Sequence, residues 1–415
     1  MERKSKASSS RTGRRRRIRI LRTEREADLV REMEEIGVDP GGIALMSPKG
    51  IGRALRLDGL SPWQANLLKQ EMLSLGGEAA VHRGAIDCSA GSTDALLMGT
   101  AKHFRALLEK LSKQPPTMRR LGDEIGDALA DYNRRTFTLS LGSRSLELGR
   151  RTAVMGIVNV SPDSFYDGGR HFSAEKAVEH GLRLAGEGAD ILDVGGESTR
   201  PGAQPVEAAE EQERILPVIE SLAARCEVPV SVDTYKGSTA RRALEAGAVM
   251  INDISGLSFD GQMARIAAER GAALVVMHMR GEPRTMQKDP SYGNLMGEIV
   301  ESLARSLEIA AEGGVDPGQT VVDPGIGFGK TLEHNLHLIS HLSELRSLGR
   351  PILAGPSRKS FIGAFGDLPP AERLEGTLAA VSLSIAGGAH LVRVHDVGAV
   401  RRAADVADAV CRREG

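Results

Sequence analysis

The sequence predicts an α/β protein, a (β/α)8 TIM barrel preceded by a smaller N-terminal α+β domain. Three observations carry that prediction. Eight short apolar runs recur over roughly the last 260 residues, and each closes on a polar or glycine-rich tip: Val158-Asn159-Val160, Asp193-Val194-Gly195-Gly196, Val232-Asp233-Thr234, Asn252-Asp253, Met277-His278-Met279, Asp323-Pro324-Gly325, Gly355-Pro356-Ser357 and Arg393-Val394-His395-Asp396. Segments with helical spacing separate them, so the chain alternates buried strand and covering helix. A period-two stretch with a central Gly142-Ser143 turn, Phe137–Leu141 then Ser145–Leu148, precedes the first run and reads as a β-hairpin placed to plug the barrel floor. In this fold the strand C-termini carry the active site, so the pattern points to an enzyme.

The elements follow in order. Residues 1–17 are rich in Lys, Arg and Ser, end in Arg14-Arg15-Arg16-Arg17 and read as a disordered basic tail. An arm for RNA or another anionic surface and a transit peptide are the other readings of that composition. Residues 18–115 read as the small domain. Ile18–Leu21 and Ile43–Met46 are expected strands, 24–36 a helix stopped by Gly37, and Ser61-Pro62 the start of a helix reaching about Leu75. Ala79–Val81 and Ala95–Met98 are further expected strands, and 101–112 a last helix. His82, Asp87 and Cys88 lie close in sequence, but their spacing does not suit zinc. Pro115-Pro116 marks a boundary, 116–136 holds a connecting helix, and 137–415 form the barrel with its hairpin. Barrel strands are expected near 153–160, 190–195, 229–234, 250–254, 273–279, 320–324, 351–355 and 391–395. Ser173 is expected to cap a helix over 174–187, and Ser238 to begin one ending at Gly247.

Composition excludes several classes. With 54 Lys and Arg against 55 Asp and Glu, the chain is not built for non-specific nucleic-acid binding. Its 3 cysteines form no CxxC pair, which fits a reducing cytoplasm and neither a zinc site nor a disulfide framework. No apolar run reaches membrane-spanning length.

The tips carry the chemistry. Asp233, Asn252 and Asp323 end the third, fourth and sixth runs and offer carboxylates and an amide to one space. Arg393 and His395 alternate on the eighth strand, so both are expected to face an anion at the usual phosphate site of the fold. The loops Ser161–Gly169 and Ser198–Ala203 have mobile compositions. Glu197 reads as an ion-pair partner rather than a catalyst, and His278 as pocket lining. Gly325, Gly327, Gly329 and Lys330 lack the spacing of a nucleotide-binding loop. No nucleophilic Cys or Ser with an evident base appears.

Taken together, Met155–Phe165 with Asp167-Gly168-Gly169, Asp193–Gly202, Ser231–Thr234, Ile251–Asp253, Asp323–Lys330, Ser357–Ser360 and Arg393–Val397 resemble the signatures of the dihydropteroate synthases over about 137–415. The resemblance implies condensation of 7,8-dihydropterin pyrophosphate with p-aminobenzoate, with release of pyrophosphate. It implies that Asp233, Asn252, Asp323 and Lys359 hold the pterin, with Met277 packed on it. Arg393 and His395 would meet the pyrophosphate, helped by Thr199 and Arg200. Asn159 would ligate Mg2+, and Phe328, Lys359 and Ser360 would line the aminobenzoate pocket. Lys359, Arg393, His395 and Asp323 are the implied catalytic groups, and a homodimer the implied assembly. A methyltetrahydrofolate-dependent methyltransferase and a non-catalytic homologue are the competing readings. The resemblance assigns no role to the first 115 or so residues.

Overall fold

The computed structural model describes residues 18–21, 23–160, 170–198 and 204–412, with only the backbone of 170–173. The chain divides into two compact units, Met1–Gly126 and Asp127–Gly415.

In the first unit, strands β1 (Gly52–Leu60), β2 (Glu78–Val81) and β3 (Thr93–Thr100) form an antiparallel sheet in the order β1-β3-β2. The helix Pro62–Ser74 joins β1 to β2, and Ala101–Leu111 follows β3. Ser61 opens the first of these as a capping box with Gln64, as its sequence suggests. Leu68, Met72, Leu97, Phe104, Leu107 and Leu111 are fully buried between sheet and helices.

Two expected strands do not form here. Ile43–Met46 lies in the helix Pro40–Met46, because Asp39 accepts from the backbone N–H groups of Gly41 and Gly42 and Pro40 fixes the first turn. Ile18–Leu21 has no strand partner, and Ile18 and Ile20 are 89% and 99% exposed. The first strand is instead Gly52–Leu60, whose Arg53, Leu55 and Leu57 are half-buried while Ala54, Arg56 and Asp58 face outward.

The helix Pro116–Asn133 spans the division between the units. The second unit continues with the hairpin β4 (Phe137–Leu141) and β5 (Arg144–Leu148). Then come eight parallel strands: β6 (Ala153–Asn159), β7 (Ile191–Gly195), β8 (Val230–Asp233), β9 (Met250–Asp253), β10 (Ala273–Met277), β11 (Thr320–Asp323), β12 (Leu353–Ala354) and β13 (Leu391–Val394). Their order is β11-β10-β9-β8-β7-β6-β13-β12, and a parallel bridge between Val322 and Ile352 closes the ring.

Strand alternation divides the side chains between two cores. Val154, Val158, Leu192, Val194, Val232, Ile251, Val276, Val322 and Val392 pack with the surrounding helices. Met155, Ile191, Met250, Val275, Val321, Leu353 and Leu391 point inward and meet Leu139, Leu141 and Leu148 of the hairpin. The barrel floor is therefore filled by apolar side chains, and the polar inward positions lie above it. The helix expected to start after Ser173 begins earlier, at Arg170, and the next after β8 spans Gly237–Glu245.

Candidate active site

Two residues above the apolar floor the inward positions turn polar. On β7, Asp193 follows Ile191 at the same face. On β9, Asn252 follows Met250, and on β13 Arg393 follows Leu391. Strand register brings the tips to a common height, with Asp233 beside Asn252 and Met277 beside Asp323. Asn252 Nδ2 donates to Asp193 Oδ2 at 3.0 Å. Arg393 bridges two carboxylates, its Nε donating to Asp193 Oδ2 and its Nη2 to Asp233 Oδ2, both at 2.6 Å. Asp193 is fully buried and Asn252 nearly so.

The electrostatics follow from this enclosure. Burial raises the Asp233 carboxyl to about 7, with the Arg393 guanidinium opposing the shift and Asp193 adding to it. Burial pushes Asp323 up as well, against the pull of Lys359. For Arg393, burial works toward a lower value, but Asp193 and Asp233 outweigh it and the guanidinium is held firmly charged.

Across the mouth, the turn after β11 is fastened by side chains. Asp323 Oδ1 accepts from Gly325 N at 2.7 Å. Gly325 has φ +68°, and a Cβ there would lie 1.9 Å from the His278 carbonyl oxygen, so only glycine fits. The buried Lys330 donates to His278 Nδ1 at 2.9 Å, to the Gly325 carbonyl at 3.0 Å and to the Phe328 carbonyl at 3.1 Å. Burial lowers Lys330 to about 7 and His278 to about 3, so His278 is a neutral acceptor inside the protein and not a ligand facing the mouth. Gln287 and Tyr292 hold the carbonyls of Gly327 and Gly329 at 2.7 and 2.8 Å. Phe328 is thereby fixed, and Lys359 Nζ sits 4.3 Å from its ring centroid while donating to the Ile326 carbonyl. Burial draws Lys359 down to about 7, with Asp323 opposing and Arg393 reinforcing. Ser360 is exposed and begins the short helix Ser360–Gly363. Met277 is buried at the end of β10.

A cavity of about 510 Å³ opens beside β6, lined by Ile157, Asn159 and His395 together with Lys176, Glu179, His180 and Arg183. Ser357 fixes His395, its Oγ lying 3.0 Å from Nδ1 and accepting from the His395 N–H at 3.2 Å. Arg358 does not join this group. It forms a two-point ion pair with Asp396 at 2.8 and 2.6 Å. Among the described residues, no group of three or more His, Cys, Asp or Glu is placed to hold a metal ion.

The predicted residues thus fall into three places. Asp233, Asn252 and Asp323 share the mouth. Lys359 and Phe328 meet, with Ser360 next in the chain. Asn159 and His395 line one cavity. Arg393, expected beside His395 on an anion, lies among the carboxylates. Thr199 and Arg200, with the loop Ser161–Gly169 and residues 199–203 of the second loop, lie outside the described residues. Glu197 pairs with Lys236 and accepts from the Tyr235 hydroxyl, the ion-pair role its sequence context suggested. Sequence reasoning missed the parts played by Asp193 and Lys330. Asp193 had a signal, since it alternates with Ile191 and Gly195 on the inward face. Lys330 had none, because its partners lie up to 52 residues away.

A closed barrel whose mouth carries two carboxylates, an amide and a lysine at its strand ends, with an apolar floor beneath, defines an enzyme of the pterin-binding barrel class. The profile described as "Pterin binding enzyme" matches residues 155–395. The dihydropteroate synthase of Synechocystis is 47% identical over 287 residues, covering 69% of this chain and 99% of that protein. A Xanthomonas albilineans dihydropteroate synthase structure with 4-aminobenzoic acid aligns with TM-score 0.62 and 45% identity, covering 66% of this chain and 98% of that one. This chain belongs to the dihydropteroate synthases. A probable bifunctional folylpolyglutamate synthase/dihydropteroate synthase of Halobacterium salinarum is 40% identical over 384 residues, 91% of this chain and 45% of that protein. That match is longer than the second unit, so it includes much of the first. No helix among the described residues is long and apolar enough to cross a membrane.

Proposed function

We propose that this chain condenses 6-hydroxymethyl-7,8-dihydropterin diphosphate with p-aminobenzoate to give 7,8-dihydropteroate and pyrophosphate. The observation that carries the reading is the convergence of Asp233, Asn252 and Asp323 on one barrel mouth, with Lys359 over Phe328 beside it. A pterin presents a row of alternating donors and acceptors along one edge. The two carboxylates match its N–H groups, Asn252 and Lys359 its remaining polar atoms, and Met277 its face. Pairing with ring N–H groups favours the ionised form of Asp233, offsetting the burial that raises it. Phe328 and Lys359 receive the aminobenzoate, and Ser360 stands where its carboxylate would lie.

The nucleophile is the amine of p-aminobenzoate itself, which is neutral, so the reaction calls for none from the protein. Catalysis therefore rests on stabilising charge as the carbon–oxygen bond breaks. The bond's electron pair leaves with pyrophosphate, whose charge Arg393 and His395 meet, with Thr199 and Arg200 as further partners. The pterin methylene carbon left behind is a cation stabilised by the electron-rich ring and the carboxylates around it. The amine lone pair then forms the new carbon–nitrogen bond, and the nitrogen loses one proton. Asn159, exposed at the end of β6, would hold a Mg2+ that takes its other ligands from pyrophosphate and water and lessens the leaving group's charge.

The same reading places the protein in the cytoplasm, in keeping with its free Cys88, Cys226 and Cys411. It also makes the protein a homodimer. The packed helices Leu374–Ala386 and Val397–Cys411 expose Leu383, Val406 and Val410, which supports a covered outer face. The test is pyrophosphate release with both substrates. Turnover that needs both, stops on chelation and is inhibited by sulfonamides competitively with p-aminobenzoate is expected. No turnover overturns the activity, a rate indifferent to chelation overturns the metal, and non-competitive inhibition overturns the Phe328–Lys359–Ser360 pocket.

A further inference from the structure

Phe328 sits between Gly327 and Gly329, whose φ values are +82° and +59°, so its own backbone does little to fix the direction of its ring. The segment after β10 supplies what is missing. Gln287 Nε2 donates to the Gly327 carbonyl at 2.7 Å, and the Tyr292 hydroxyl donates to the Gly329 carbonyl at 2.8 Å. Gln287 is exposed, whereas Tyr292 is half-buried and enclosed. The central carbon of the Arg280 guanidinium lies 4.7 Å from the Tyr292 ring centroid, and the His334 ring meets it edge-on at 5.0 Å. Arg280 pairs in turn with Glu298 at 2.7 Å. Glu298 also accepts from the backbone N–H groups of Gly293 and Asn294, at 2.7 and 3.0 Å, which ties down the chain next to Tyr292. The ring is thus caged and its hydroxyl aimed at one acceptor. Among the described residues, none of its hydrogen bonds or ring contacts reaches Asp233, Asn252 or Asp323.

We infer that Tyr292 is a positioning residue for the aminobenzoate and not for the pterin. Its hydroxyl holds the Gly329 carbonyl and so fixes one end of the turn that carries Phe328. Phe328, held in this way, presents its ring to Lys359 Nζ at 4.3 Å from the centroid and forms a wall of the pocket. Gln287 acts in the same sense from the other flank, through Gly327. The inference rests on the proposed Phe328–Lys359–Ser360 pocket and names what holds its aromatic wall in place. Removing the hydroxyl leaves the caged ring where it is and frees the turn beside it, so the loss should fall on the second substrate alone.

The test is steady-state pyrophosphate release by the full chain, with each substrate varied against a saturating level of the other. Tyr292→Phe should raise KM for p-aminobenzoate about fivefold, the effect of losing one neutral hydrogen bond, and leave KM for the pterin diphosphate unchanged. A tyrosine that only stabilised the unit would move both values or neither. The route through Phe328 is read by a double-mutant cycle. In a Phe328→Ala background, Tyr292→Phe should add nothing further to KM for p-aminobenzoate. Gln287→Ala, a change at the surface, should act in the same direction and carries the test should Tyr292→Phe fail to fold. An unchanged KM for p-aminobenzoate, an equal rise in both KM values, or an effect kept in full without the Phe328 ring overturns the role of Tyr292. Turnover by the unmodified protein with any of those results overturns the positioning role alone, and absence of that turnover overturns the reading of the site beneath it.

Discussion

Replacing Arg393 by alanine tests the charge balance of the barrel mouth. The substitution removes the guanidinium from two carboxylates at once, one with a fully buried side chain and one with 10% exposure. Breaking a buried pair by deleting one partner costs about 3–5 kcal/mol. Because the Arg393 side chain is 21% exposed, the lower end applies, about 3 kcal/mol. For a unit of this size that corresponds to a fall in Tm of roughly 5 °C.

The loss should also depend on pH, and its sign follows from Asp233. Its folded value near 7 exceeds the unfolded value of 3.8, so ionising it costs folding free energy as pH rises across that interval. Without Arg393 the folded value rises further. Below about 6 both proteins carry a neutral Asp233 and differ least. As pH climbs through 7 toward 9, only the unmodified protein keeps a partner for the new charge, and the gap widens. Thermal melts of both proteins from pH 5.5 to 9 measure this. A gap independent of pH, or one that narrows as pH rises, would refute the assignment of Arg393 as the counter-charge of Asp233.

Other outcomes follow from the same geometry. Asp233 must be ionised and Lys359 protonated to meet a pterin edge, and both lie near 7, so kcat/KM should trace a narrow bell around neutrality. Lys359→Arg should move only the falling limb upward, and an unmoved limb would assign it elsewhere. Lys330→Met strips donors from two carbonyls and from His278, which should cost about 3 kcal/mol or more and raise KM for p-aminobenzoate more than for the pterin. Equal effects on both KM values would disconnect this lysine from the Phe328 loop. A chain starting at Pro116 keeps the whole Pro116–Asn133 helix and should retain turnover, since relatives nearly completely spanned by the barrel match carry the family name. An inactive but folded truncation would assign the first unit a part in catalysis.

The competing methyltransferase reading gains nothing from the site. His395 and Asn159 share a cavity with Lys176, Arg183 and Glu179, so two cations there outnumber one carboxylate. Arg358 adds nothing to that cavity, because Asp396 holds its guanidinium.

The sequence by itself determined the barrel and the level of its chemistry. Period-two alternation is local, so Asp233, Asn252 and Asp323 could be placed at inward strand tips, and the hairpin's Leu139, Leu141 and Leu148 on one buried face, without knowing what they met. In the first unit the same logic failed twice. The run Ile43–Met46 has strand composition, but the Asp39 cap turns it into a helix, and Ile18–Leu21 has no partner strand. Only the tertiary structure decided how the polar groups are paired. Arg393 reaches Asp193 and Asp233 across 200 and 160 residues of chain, and Lys330 reaches His278 across 52. Those contacts exist because the ring closes in one register and a buried charge must find an opposite charge or hydrogen-bond acceptors within the fold. That is a property of the closed barrel, and no stretch of the sequence contains it.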